Sequence, residues 1–90
     1  MAIDKRIWDT IHAFPKVDLH CHLDGSIRPE TIMELALEND ISMPYDNLND
    51  LIFYMHCKNC TSLKDYLKRF DITLSVMQKP QAIERIAYEL

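Results

Sequence analysis

Ninety residues make one small domain at most. Apolar residues at 48% and charged residues at 27% are the balance of a soluble globular protein, and a net charge of −4 with no arginine-rich run excludes a basic face for nucleic acid. No apolar stretch approaches the roughly 20 residues of a membrane span. The opening Ala2-Ile3-Asp4-Lys5-Arg6 lacks the apolar core of a secretory signal. Three cysteines, an odd number, fit a reducing compartment better than a disulfide framework, so free thiols and a cytoplasmic setting are expected.

The first predicted element is a helix over Asp4 to Ala13, with Ile3, Ile7, Trp8, Ile11 and Phe14 on one apolar stripe and Pro15 ending it. His12 lies in this helix and reads as a packing or surface residue.

Val17 to Leu23 then alternate strictly in polarity, which predicts a β-strand with two different faces. Val17, Leu19, Cys21 and Leu23 point one way, and Asp18, His20 and His22 the other. Side chains two apart on a strand stand ~6.5 Å apart along the chain. Two imidazoles so placed can lean together onto one metal at about 2.0–2.1 Å. The same alternation also fits an amphipathic strand with its polar face in water. Gly25 ends the strand, permitting a sharp turn or close approach of the backbone to a ligand. Asp24 sits at that exit.

A second helix begins at Arg28-Pro29, with Pro29 in the favoured first position and Glu30 in the first turn. Ile32, Leu35, Ala36 and Asn39 share a face, flanked by Met33 and Leu37, and the helix gives way near Asn39-Asp40. Asn47 caps a short helix from Leu48 to about Met55. His56-Cys57-Lys58-Asn59-Cys60 follows, with Cys-x-x-Cys at zinc-ligand spacing. No second Cys/His pair comes after it, so these cysteines read as structural or incidental. Ser62 starts a further helix, with Asp65 in a capping-box position and Leu63, Tyr66, Leu67, Phe70, Leu74 and Met77 at helical spacing, a stripe that reads as core. Pro80 opens the last helix, with Ile83, Ala87 and Leu90 along one side.

The run Pro15-Lys16-Val17-Asp18-Leu19-His20-Cys21-His22-Leu23-Asp24-Gly25-Ser26-Ile27-Arg28-Pro29-Glu30-Thr31-Ile32 resembles the N-terminal signature of the adenosine deaminases, metal-dependent hydrolases of the amidohydrolase superfamily. Weaker similarity continues from Ser62 to Leu90, through Tyr66-Leu67-Lys68-Arg69-Phe70 and Ile83-Glu84-Arg85-Ile86-Ala87-Tyr88-Glu89. The resemblance covers nearly the whole chain but only the first part of the family's length. It implies an α/β fold, with residues 1–90 as the N-terminal part of a TIM-type (β/α)8 barrel, mostly helical with one barrel strand. Such a barrel needs about 250 residues, and Tyr88-Glu89-Leu90 stops inside a helical pattern, so an N-terminal fragment of a longer enzyme is expected.

What the resemblance implies about chemistry is specific. His20 and His22 would be two ligands of a Zn²⁺. His22 and Asp24 would contact the substrate, Asp24 through a ribose hydroxyl. Leu63, Tyr66, Leu67 and Phe70 would line the mouth of the pocket and shield the base. The remaining ligands and the acid–base groups would lie beyond residue 90. The implied activity is hydrolysis of adenosine and 2′-deoxyadenosine, purine nucleosides, to the inosine products and ammonia in purine salvage. Relatives acting on adenine tend to carry Glu where Asp24 stands, and those acting on modified AMP tend to carry Asn. The competing readings are those two deaminases, or a non-catalytic helical interaction module.

Overall fold

The computed structural model describes residues 2–90. Helix α1 spans Lys5–Ala13, and the Asp4 carboxylate accepts from the Arg6 N–H at its start. Lys16 closes the other end, its Nζ donating to the carbonyls of Ile11, Phe14 and His12 at 2.5, 2.8 and 3.2 Å. A cation belongs there, where unpaired carbonyls gather partial negative charge. The predicted apolar stripe exists, but no described residue covers it: Ile3, Ile7, Trp8, Ile11 and Phe14 are 52–67% exposed.

The predicted strand from Val17 to Leu23 does not form. Residues 15–22 carry neither helix nor ladder, and the segment ends in a 3-10 turn over Leu23–Gly25. A strand exists only where a neighbour's N–H and C=O groups complete its ladder. Among the described residues no second strand is present to do so. Val17 and Leu19, the apolar face of the alternation, are accordingly 85% and 94% exposed. The described residues are thus helical rather than α/β.

Helix α2 (Pro29–Glu38) starts on Pro29 and buries Thr31, Ile32, Leu35 and Ala36. Its end is a Schellman turn: Asp40 takes φ 53° and the Ile41 N–H reaches back to the Ala36 carbonyl at 2.9 Å. Helix α3 (Leu48–His56) is capped by Asn47, whose Oδ1 accepts from the Asn49 and Asp50 N–H groups, and it buries Leu51.

The single helix expected from Ser62 to Met77 is two, α4 (Leu63–Leu67) and α5 (Arg69–Val76), meeting at Lys68. The break changes the face that is buried. Ile72, Thr73 and Val76 enter the core, whereas Leu63, Tyr66, Leu67 and Leu74 remain 46–71% exposed. Helix α6 (Pro80–Glu89) likewise buries Ala82 and Ile86 instead of the predicted Ile83, Ala87 and Leu90. These four longer helices share one core of Ile32, Leu35, Ala36, Leu51, Ile72, Val76, Ala82 and Ile86.

Polar contacts fasten α6 to α2. Thr31 Oγ1 donates to Glu89 at 2.6 Å, Arg28 pairs with Glu89 at 3.1 Å, and Arg85 bridges Glu34 and Glu89. The outline stays open nonetheless. The radius of gyration is 15.3 Å, against about 12 Å for a compact chain of this length. The accessible surface is 7337 Å², against about 5,500 Å² for a closed monomer of this mass. The excess lies where α1 and the histidine segment stand apart from the core.

Cys57 and Cys60 are joined by a disulfide, with Cα atoms 5.2 Å apart, which corrects the expectation of free thiols; Cys21 is free and exposed. No helix among the described residues is long and apolar enough to cross a membrane.

Candidate functional site

The segment bearing the predicted ligands is ordered by its own polar groups. Asp18 Oδ1 accepts the His20 N–H at 3.1 Å. Beyond it, the His22 carbonyl accepts from the Gly25 N–H at 3.1 Å and the Ser26 hydroxyl at 2.7 Å, which winds the 3-10 turn. Gly25 makes this turn without a positive φ. A Cβ there would meet the Phe70 ring at 3.6 Å, an ordinary van der Waals contact, so neither crowding nor backbone strain demands glycine at this position.

Between these two anchors the imidazoles of His20 and His22 converge, Nε2 to Nε2, at 3.1 Å. The rings are inclined at 62° with centroids 5.0 Å apart, so the nitrogens meet at their tips rather than stacking. Two nitrogens at that separation, each about 2.0–2.1 Å from a shared ion, would subtend about 100° at it, close to a tetrahedral angle. The donor set therefore fits a zinc-like cation. It also stops short of a closed site: no group of three or more His, Cys, Asp and Glu gathers among the described residues.

Asp24 sits in the turn and borders a cleft of about 80 Å³ with Gly25, Ile27, Met55, Tyr66, Arg69, Phe70 and Thr73. Tyr66 and Phe70 meet edge to face, centroids 5.6 Å apart. Of the four predicted gate residues, these two border the cleft. Leu63 and Leu67 do not, and they are 71% and 49% exposed on α4.

Sequence reasoning missed Met55, Thr73 and, most consequentially, Arg69 among the cleft residues. The Arg69 guanidinium lies 3.9 Å over the Tyr54 ring, while Nε donates to the Tyr54 carbonyl at 3.1 Å and Nη1 to the Asp65 carbonyl at 2.6 Å. It staples α3 to the α4–α5 junction. No periodicity marks such a residue, because its partners are an aromatic face and two backbone oxygens. His12 stacks on Trp8 at 4.7 Å, away from the cleft, as a packing residue should. His56 is exposed at the end of α3.

Residues 15–90 match the model of the adenosine deaminase family, a span that takes in the converging histidines, Asp24 and every residue of the cleft. The chain belongs to the adenosine deaminase family. Proteins named adenosine deaminase from Shewanella woodyi and Clostridium acetobutylicum are each 48% identical to it, over 79 and 85 residues. Those alignments cover 87% and 93% of this chain, and 24% and 25% of the relatives. One from Vibrio vulnificus is 48% identical over 77 residues, 84% of this chain and 23% of its own. The chain thus spans about a quarter of the length of these adenosine deaminases. No solved structure matches it.

Proposed function

We propose that this chain is the N-terminal portion of a zinc-dependent (β/α)8-barrel hydrolase. Its reaction would convert adenosine and 2′-deoxyadenosine, with water, to inosine and 2′-deoxyinosine plus ammonia, serving purine salvage in the cytoplasm. The observation that carries the reading is the 3.1 Å convergence of His20 and His22 immediately before the turn that brings Asp24 to the cleft.

In this reading His20 and His22 hold the metal as neutral imidazoles, which ligate without cancelling its charge. When bound, such a metal lowers the pKa of a coordinated water toward about 7. Asp24 accepts a hydrogen bond from a ribose hydroxyl, and its charge strengthens that bond over a neutral one. This favours a nucleoside over a free base. Tyr66 and Phe70 wall the cleft, and Leu63 and Leu67, which stand outside it on α4, would shield its mouth. Excluding water there strengthens the polar contacts beneath. His22 contributes to the substrate side as well as to the metal.

The test compares adenosine, adenine and AMP as substrates of the full-length protein, with and without Asp24→Glu. A hydrogen bond to a charged group is worth about 1.5–3 kcal/mol, so kcat/KM for adenosine should fall about tenfold to a hundredfold. Unchanged adenosine turnover in the variant would remove Asp24 as the ribose contact. Turnover of adenine or AMP in preference to adenosine would replace the substrate.

A further inference from the structure

The deaminase chemistry makes no use of Cys57 and Cys60, yet they sit two contacts from the cleft. We infer that they form a reversible dithiol–disulfide pair which sets, through Tyr54 and Arg69, how firmly α3 holds the cleft helix α5. This goes beyond the proposed activity and does not depend on it.

Three observations carry the inference. The first is geometric readiness. The two Cα atoms lie 5.2 Å apart, within the range a disulfide accepts. The Cys60 N–H donates to the Cys57 carbonyl at 3.2 Å, so a backbone turn already brings the side chains together. The second is access. Both cysteines are half-buried among exposed His56, Lys58 and Asn59, open to a small thiol or disulfide.

The third is connection. Cys57 occupies the left-handed region at φ 55°, which side chains other than glycine's occupy at a cost. Its N–H donates to the Tyr54 carbonyl at 3.2 Å, and that same oxygen accepts from Arg69 Nε at 3.1 Å. Arg69 also covers the Tyr54 ring and borders the cleft beside Asp24. The bond keeps Cys57 in its turn. Opening it releases the last turn of α3 to fray, and the Tyr54 ring and carbonyl that anchor Arg69 lose order with it. The two-state element is that turn, formed or frayed.

The chemistry balances with a small-molecule disulfide as oxidant. One cysteine thiolate attacks it and expels one thiolate, leaving a mixed disulfide. The other cysteine then attacks the protein sulfur and expels the second. Net, the cysteines give up two protons and two electrons, and the oxidant becomes two thiols. Excess thiol runs the sequence backward.

The experiment equilibrates the full-length protein across a series of reduced and oxidised glutathione, traps free thiols by alkylation, and reads the Cys57–Cys60 peptide by mass spectrometry. Hydrogen exchange is measured in both end states. The peptide should pass between doubly alkylated and unalkylated. Oxidation should slow exchange from Arg69 to Thr73 by about fivefold, the low end of couplings between sites. Because coupling is reciprocal, Arg69→Ala should weaken disulfide formation by a similar factor. The wild-type exchange readout stands even where that variant fails to fold. Complete alkylation at every poise, or oxidation that leaves α5 exchange unchanged, overturns the inference.

Discussion

Thr31 on α2 donates its hydroxyl proton to Glu89 on α6 at 2.6 Å, across 58 residues of sequence. That bond, with the nearby charges of Arg85 and Arg28, holds the Glu89 carboxyl below its ordinary value. A carboxyl depressed on folding contributes stability above its unfolded pKa and loses it as pH falls through the folded one. Wild type should therefore melt above Glu89→Gln at neutral pH, and the two curves should converge as pH drops through and below about 4.3, the ordinary glutamate value. Thermal melts from pH 7 to 3 decide it. A gap that stays constant with pH would assign Glu89 a role independent of its charge.

Leu51 is fully buried at the centre of the four-helix core. Leu51→Ala should cost about 2–5 kcal/mol, the transfer term plus a cavity. Leu74→Ala, on the exposed side of α5, should cost less than about 1 kcal/mol. Urea midpoints of the two variants test the helix phase described above, and equal losses would contradict it.

Asp40 holds φ 53° in the Schellman turn that ends α2. Glycine adopts this conformation without a Cβ penalty, so Asp40→Gly should raise stability by about 0.5–1 kcal/mol. The urea midpoint should rise with an unchanged slope. A fall in midpoint would mean that the Asp40 side chain itself supports the turn.

His20→Ala in the full-length protein should weaken zinc retention by more than about a hundredfold, beyond what loss of an outer-shell partner costs. His12→Ala, which only uncovers Trp8, should leave retention unchanged. Metal content after dialysis against a chelator reads both. Equal retention in the two variants would dissociate the histidine pair from the metal.

Local signals were legible in the sequence, as was the phase of α2, whose expected face of Ile32, Leu35 and Ala36 is buried, whereas the phases of α5 and α6 were not. Pro29, Asn47, Ser62 and Pro80 mark helix starts because caps and proline act within a few residues, and each lies where its helix begins. Which side of α5 and α6 turns inward depends on neighbours. The break at Lys68 rotated the buried set to Ile72, Thr73 and Val76, against a stripe counted straight through it. The alternation from Val17 to Leu23 met the same limit, since polarity specifies two faces but a partner strand must supply the ladder. The histidine spacing was readable, because two residues along an extended chain suffice to bring the rings together. Arg69 was not, its partners being an aromatic face and two backbone carbonyls, which leave no mark in the pattern of side chains.

Trp8 is the one tryptophan of these 90 residues, 52% exposed and stacked on His12. All its indole fluorescence therefore originates outside the four-helix core. Emission from this chain should be red-shifted and should respond weakly to core melting, which the far-ultraviolet helical signal would follow instead. Any surface that comes to cover the stripe from Ile3 to Phe14 should shift that emission to the blue. Two optical channels thus separate docking of the first helix from folding of the rest.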